Sequence, residues 1–569
     1  MVGAHVGRGI PTVKQSMTNG PSKTFSAGLT RRGFLAAVPV GGYFALSSTA
    51  LAQAAAPAPA PAPAPAPVAP APVVDPHQVL IDNFSFDALS EFMRLASQKD
   101  YVEPKGITEF PADLDYDGYR LVRYNPERAR FADVEESRIQ LQAFHMGWLF
   151  KVPVGLFEVV DGRAAPMGFG AEDFIYQREA GEMLPAEWTF PGVSGFRLHA
   201  PLNRPDIFDE LVAFQGASYF RALGRKSTYG LSARGLAINT GGSEPEEFPR
   251  FSGFYVERPK PGQETVTIYA TLDSPSLTGA YRFIITPGEA TVMEITARLY
   301  LRSDIKEIGI APLTSMFLYG DRNREDFDDY RPRVHDSEAL AIEYGGPGRI
   351  WRALSNPPRL ASSYFGQMTP KSFGLYQRAR EFEDYQDAAS HYERRPSLRV
   401  EPIGDWGKGA VRLLEIPSKS EIHDNIAAFF VPEGGGKAGE TREYAYRLLW
   451  GDLPLEEGDE LAHVVASRAG IGGYSGDENP SDHRKFVIDF RGGMLSSLPG
   501  DAAANLKAVV NVAKGEIVSQ DLSRIGVADL WRLAIDVTAE NGSTVELTAH
   551  VEGYGRRLSE TWAFQWIKQ

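Results

Sequence analysis

The sequence predicts an all-β protein, and three observations carry that prediction. Apolar and polar residues alternate with period two in several runs, aromatic residues reach 11%, and 56 glycines among 569 residues punctuate the chain at short intervals. Alternation sends successive side chains to opposite faces of a strand, so one face packs while the other stays wet. Gln142, Phe144, Met146, Trp148 and Phe150 form one such run. Val266, Ile268, Ala270 and Leu272 form a second, and Tyr444, Tyr446, Leu448 and Trp450 a third. No strand–helix–strand rhythm occurs, and neither glycine-rich nucleotide motif is present, so nucleotide binding has no support.

One helix stands apart from this pattern. Ser85 is a fair N-cap, and Leu89, Phe92, Met93 and Ala96 share a helical face, so ordered structure is expected from about Asp82. Beyond this helix the chain reads mostly as strand until Pro432-Glu433-Gly434-Gly435-Gly436-Lys437, where three consecutive glycines read as a linker over 432–438. The piece over 439–569 has the length and strand spacing of a small immunoglobulin-like sandwich. The piece over 79–431 is large for one sandwich and predicts extended sheets with a wide concave face.

The first 52 residues read as a secretory signal. Arg8, Lys14, Lys23, Arg31 and Arg32 occur with no acid, an apolar run follows from Gly33 to Leu46, and Ala50-Leu51-Ala52 offers a cleavage site. Arg31-Arg32 directly before the apolar run is a twin-arginine pattern, which predicts export of a folded protein to the periplasm. The apolar run falls short of the ~20 residues a spanning helix needs, so no stable membrane anchor is expected. Removal of five positive charges takes the net charge from −14 to −19. Residues 53–78 are an Ala/Pro-rich linker expected to extend as polyproline II.

The acidic balance argues against a nucleic-acid partner. The absence of cysteine excludes disulfides, thiolate zinc sites and a cysteine nucleophile. The ten histidines form neither an HExxH nor an HxxxH pair, and no metal or other cofactor is expected. No nucleophile elbow is present either, which leaves carboxylates as the strongest candidates for chemistry. Arg331-Pro332-Arg333-Val334-His335-Asp336-Ser337 places an acid among two arginines and a histidine. Glu421-Ile422-His423-Asp424-Asn425 places two acids beside a histidine, just before the apolar run Ile426–Phe430. Paired acids amid polar and aromatic groups suit glycoside hydrolysis, where one protonates the leaving oxygen and the other activates water. Trp351 with Arg352, and Trp406, are candidates to stack on sugar rings; core packing is the competing reading for each Trp.

Several long segments, in order from about Asp82 to the C-terminus, resemble the periplasmic glucan biosynthesis proteins G and D. These are Phe214-Gln215-Gly216-Ala217-Ser218-Tyr219-Phe220-Arg221, Tyr229 to Ala237, Ile308 to Phe317, Val334-His335-Asp336-Ser337 and Ile350 to Pro357. Arg395-Pro396-Ser397-Leu398, Trp406-Gly407-Lys408-Gly409, Asp424-Asn425-Ile426 and Ser559-Glu560-Thr561-Trp562 continue the series. The twin-arginine signal is more typical of the D branch, whereas the segment Gly473–Pro480 is shorter than a D-branch loop, so the branch stays open. The resemblance implies a large N-terminal mutarotase-like β-sandwich followed by the immunoglobulin-like one. It implies a role in making osmoregulated periplasmic glucans, through inverting endo-β-1,2-glucanase or transglycosylase action on the β-1,2-glucan backbone.

The family's essential acids fall on Asp336 and Asp424, with Glu421 as a third acid and His335 and Arg333 in supporting roles. Trp351, Arg352, Trp406 and Arg395 are the candidate sugar contacts. Glu421 beside Asp424 is a like charge that would favour a retained proton, so Asp424 is assigned as general acid and Asp336 as general base, with the reverse open. The alternative function is a non-catalytic glucan-binding scaffold that assists an inner-membrane glucan glucosyltransferase.

Overall fold

The structure is a computed structural model that describes residues 76–569 apart from 178, 186, 347, 367, 455–458 and 474–481. The signal segment, the linker up to residue 75 and the 474–480 stretch lie outside the described residues. The expected helix is present as Phe86–Ala96, with the Ser85 hydroxyl accepting from the Ala88 N–H at 3.1 Å. It buries Leu89 and Met93 against the back of a large sheet, beside Tyr255 and Tyr300. The residues just before it are already helical over Pro76–Asp82, ahead of the expected start near Asp82.

The all-β expectation holds. Among the described residues a ten-stranded sheet runs Gln140–His145, Val193–Ala200, Asp209–Gln215, Tyr219–Ala222, Ser232–Arg234, Ile308–Ser315, Ile426–Pro432, Gly409–Glu415 and Ala361–Phe365, with Leu236–Ile238 also on Ile308–Ser315. A longer sheet faces it. Its central strands are Ser397–Ile403, Thr441–Gly451, Thr291–Leu301, Leu277–Thr286, Val266–Asp273 and Arg250–Glu257. Phe196, Phe214 and Phe220 of the first sheet meet Phe254 and Phe283 of the second, with Phe214 and Phe283 centroids 5.2 Å apart. Edge-to-face aromatic layers of this kind fill the ~10 Å between stacked sheets.

Period-two runs land as predicted for Val266–Asp273 and for Thr441–Gly451, where Tyr444, Tyr446, Leu448 and Trp450 all point into the core. The run beginning at Gln142 is strand only to His145; Gly147 then turns the chain at a φ of 136°.

The triple-glycine segment does not separate two bodies at 432–438. It is a tight turn that carries the chain from the ten-stranded sheet into the middle of the facing one, because Thr441–Gly451 pairs with Thr291–Leu301 on one side and Ser397–Ile403 on the other. Gly434 and Gly435 take positive φ, and a Cβ on Gly435 would lie 2.6 Å from the Ile305 carbonyl oxygen, so glycine is required by sterics.

The C-terminal strands do form a second sandwich, but it borrows from the first. The longer sheet continues through Ala339–Glu343 and Arg349–Ala353 into Thr561–Ile567, Thr544–Gly553 and Leu506–Ala513. A four-stranded sheet of His463–Ile471, Arg484–Arg491, Leu530–Thr538 and Glu516–Ile525 covers that end. The resulting core joins Ala339, Ala341 and Trp351 to Phe486, Trp531 and Trp562. Glu560 pins the seam: it is fully buried and accepts from Arg378 at 2.7 and 2.8 Å.

Candidate active site

Asp336 comes directly after the short strand Val334–His335, which pairs with Phe317–Tyr319. Its main-chain N–H donates to the Met316 carbonyl at 2.8 Å. The next residue along, Phe317, is held by Asn425: the Asn425 Oδ1 accepts from the Phe317 N–H at 2.8 Å, and Nδ2 donates to the Phe317 carbonyl at 3.0 Å. Nδ2 also donates to the Ile416 carbonyl at 3.0 Å. Residues 316–317 therefore tie the segment that carries Asp336 to the segment that carries Asp424, although the two acids are 88 positions apart in sequence.

The two acids have different surroundings. Asp336 is 3% exposed, and its carboxylate accepts from Arg395. Burial pushes its pKa up to about 6, with the Asp424 charge adding to the push while Arg395 and Arg221 oppose it. The Asp424 side chain is 31% exposed, and its nearest cation is Arg221 at 3.8 Å. Arg221 and Tyr219 share a face of Tyr219–Ala222, because Phe220 and Ala222 fill the core.

The Glu421 carboxylate has partners of its own. It is engaged by the Arg331 guanidinium at 2.9 Å and the Tyr392 hydroxyl at 3.0 Å. Arg331 also bridges to Asp387 and Asp329, both at 2.7 Å. Asp387 orders the loop that presents the Ser390 carbonyl to Arg395, and the Arg395 guanidinium lies 4.3 Å from the Tyr392 ring centroid. Arg395, Ser390, Asp387, Arg331, Glu421 and Tyr392 thus form a closed ring of contacts, and Asp336 is attached to it through Arg395.

The supporting residues divide. Arg395, expected as a sugar contact, lies against the Asp336 carboxylate. His335 is buried, stacked 5.3 Å from Phe317 and bonded to Gln377; burial and then Arg333 lower its pKa to about 3, so it is a neutral packing residue. Arg333 is turned to Asp321 and Asp384 at 2.9 and 3.1 Å. Three expected sugar contacts are core residues instead. Trp351 is 3% exposed and lies under Arg378, whose guanidinium is 3.5 Å from the ring centroid. Arg352 is buried against Glu415 at 2.7 Å. Trp406 packs on Phe430, Tyr444 and Tyr446 and donates its indole N–H to the Ala445 carbonyl. Each sits on or against a strand whose inner face is covered by a facing sheet or strand, and the aromatic composition of a segment does not reveal that cover.

The aromatics beside the acids are others. Arg234 lies 4.6 Å from the Tyr219 ring and 5.6 Å from the Phe248 ring, and is fixed by Glu246 at 3.0 Å and Thr314 at 3.2 Å. Phe248 is 54% exposed. The signal for Tyr219 and Arg221 was present: alternation within Ser218–Arg221 puts both on the face opposite Phe220.

The site so far comprises a deep-set carboxylate, a second, more exposed acid and nearby aromatic rings within an all-β sandwich. Similarity then gives the family. The model of the periplasmic glucan biosynthesis protein family (MdoG) matches residues 84–566, and the chain belongs to that family. Glucans biosynthesis protein G of Cereibacter sphaeroides is 56% identical over 497 residues, 87% of this chain and 91% of its own length. Protein G of Rhodopseudomonas palustris is 43% identical over 85% of this chain and 93% of its own length. Glucans biosynthesis protein D of Xanthomonas campestris pv. campestris is 40% identical over 85% of this chain and 90% of its own. A solved polysaccharide lyase aligns with 66% of this chain and 44% of its own at 10% identity and a TM-score of 0.17, a likeness that carries no argument.

Proposed function

We propose that this protein acts in periplasmic glucan biosynthesis as an inverting endo-β-1,2-glucanase or transglycosylase, with Asp424 as general acid and Asp336 as general base. The observation that carries the reading is the contrast between the two acids. Asp336 is buried, paired with Arg395 and poised at about 6, so it is ionised but weakly held near neutral pH, which suits a base. Its burial limits it to small partners, a water or a hydroxyl. Asp424 stands at the surface of the sheet beside Arg221, where the bridging oxygen of a polymer has access.

In the reaction, Asp424 gives its proton to the glycosidic oxygen as that bond breaks. Asp336 takes the proton from the water that attacks the anomeric carbon from the opposite face, and the anomeric configuration inverts. A sugar hydroxyl in place of the water gives transglycosylation. Tyr219, Arg234 and Phe248 offer a platform for the sugar rings. Twin-arginine export and action in the periplasm complete the reading, with the membrane glucosyltransferase as the partner that supplies nascent glucan.

The test incubates the chain from residue 53 with long linear β-1,2-glucan and separates the products by chromatography and mass. Shorter linear chains are expected, or, for a cyclising transglycosylase, products without a reducing end. Unchanged glucan would contradict the reading and leave the scaffold role.

A further inference from the structure

A second place on the ten-stranded sheet carries the features of a sugar site, at the far end of the strand next to Asp424. Ile426–Pro432 leads away from Asp424, and at ~3.3 Å per residue its seven residues span about 23 Å. Where it ends, a cavity of about 520 Å³ opens, lined by Lys306, Glu307, Tyr364, Lys408, Glu433 and the glycine turn. Tyr364 is 55% exposed, although it lies on a regular strand, Ala361–Phe365.

The ring is held from beneath. Arg412 is buried, and its guanidinium lies 5.3 Å from the Tyr364 centroid. Arg412 pairs with Glu307 and donates to the Thr240 carbonyl at 2.8 Å, and the Tyr364 hydroxyl donates to Glu307 at 3.1 Å. The cation occupies one side of the ring and the hydroxyl is tethered, so the ring is fixed with its other side toward the cavity. A fixed, exposed aromatic face beside carboxylate acceptors and ammonium donors is what a pyranose needs, with C–H groups on the ring and hydroxyls on the polar rim. The lining holds two lysines and two glutamates, a balance that suits a neutral ligand.

We propose that the Tyr364 cavity is a second, non-catalytic binding site for a neutral glucan strand, which holds a long chain at a distance from the two acids. The inference rests on the reading that this protein handles β-1,2-glucan, and it does not depend on the roles of Asp336 and Asp424. It separates long from short ligands: a chain that reaches both places gains affinity by effective concentration, whereas a short one engages either place alone.

The experiment measures binding of long linear β-1,2-glucan by calorimetry, in the Asp424→Asn background to prevent turnover, and kcat/KM for long and short chains in the otherwise native protein. Tyr364→Ala is expected to weaken long-chain binding about tenfold, the scale of one aromatic platform, while kcat/KM on short oligosaccharides stays unchanged. Tyr364→Phe keeps the ring and is expected to keep the affinity. Lys408→Ala, on an exposed side chain, tests the rim without risk to the fold and is expected to weaken long-chain binding. Long-chain affinity unaltered by Tyr364→Ala overturns the proposal. Binding that depends on Tyr364 in a protein that never cleaves glucan supports this site while removing the catalytic reading. No glucan binding by the parent removes both.

Discussion

Asn425 grips the main chain of Phe317 at both ends, its Oδ1 accepting at 2.8 Å and its Nδ2 donating at 3.0 Å. A side-chain amide that copies a strand's hydrogen-bond pattern is a rigid clamp, and it links the segments of Asp336 and Asp424. Removing it takes the partner from two buried main-chain groups of Phe317 and from the partly buried Ile416 carbonyl. Asn425→Ala is therefore expected to cost about 2–4 kcal/mol, read as a lowered Tm, and to reduce activity further than Tm loss explains.

The pH behaviour of Asp336 is set by its environment. The folded pKa of about 6 lies above the ordinary 3.8, so the folded protein retains a proton that the unfolded chain has released. The associated stability is present below about pH 4 and is lost as pH rises through 6. Asp336→Asn does not titrate, so its stability relative to the native protein should improve by about 2 kcal/mol between pH 4 and 6.5. Urea denaturation at several pH values checks the trend; a difference constant with pH would contradict it.

Arg395 lowers the pKa of Asp336. In Arg395→Gln the acid limb of the kcat/KM profile, set by the base, should move upward from about pH 6. An unmoved limb alongside reduced kcat would assign Arg395 to sugar contact alone.

Trp351 and Phe248 should separate stability from affinity. Trp351→Ala is expected to cost about 3–5 kcal/mol in the second core and to leave glucan affinity of the folded protein intact. Phe248→Ala, on a half-exposed ring, should hardly change Tm but should weaken glucan binding about tenfold. Calorimetric binding beside thermal melts distinguishes the two.

Much of the fold was legible because strand alternation is local. Val266–Asp273 and Thr441–Gly451 could be read residue by residue. The destination of a strand is not local. Gly434-Gly435-Gly436 signals a turn, but only the partners of Thr441–Gly451 show that the turn returns the chain to the same sandwich. The same limit misplaced Trp351, which is covered by a sheet drawn from residues beyond 460. At the site, Asp336, Asp424 and Arg395 were legible from motifs. Glu421 was read as a neighbour of Asp424 because it is three residues away in sequence, yet Arg331, 90 positions earlier, claims its carboxylate.

The most direct test of the two-acid account measures turnover of linear β-1,2-glucan by Asp336→Asn and Asp424→Asn, each shown to be folded by circular dichroism. General acid–base residues contribute about 10²–10⁴-fold, so kcat is expected to fall by about a thousandfold in each variant. Full turnover by either folded variant would contradict the account and return that acid to an ordinary structural role.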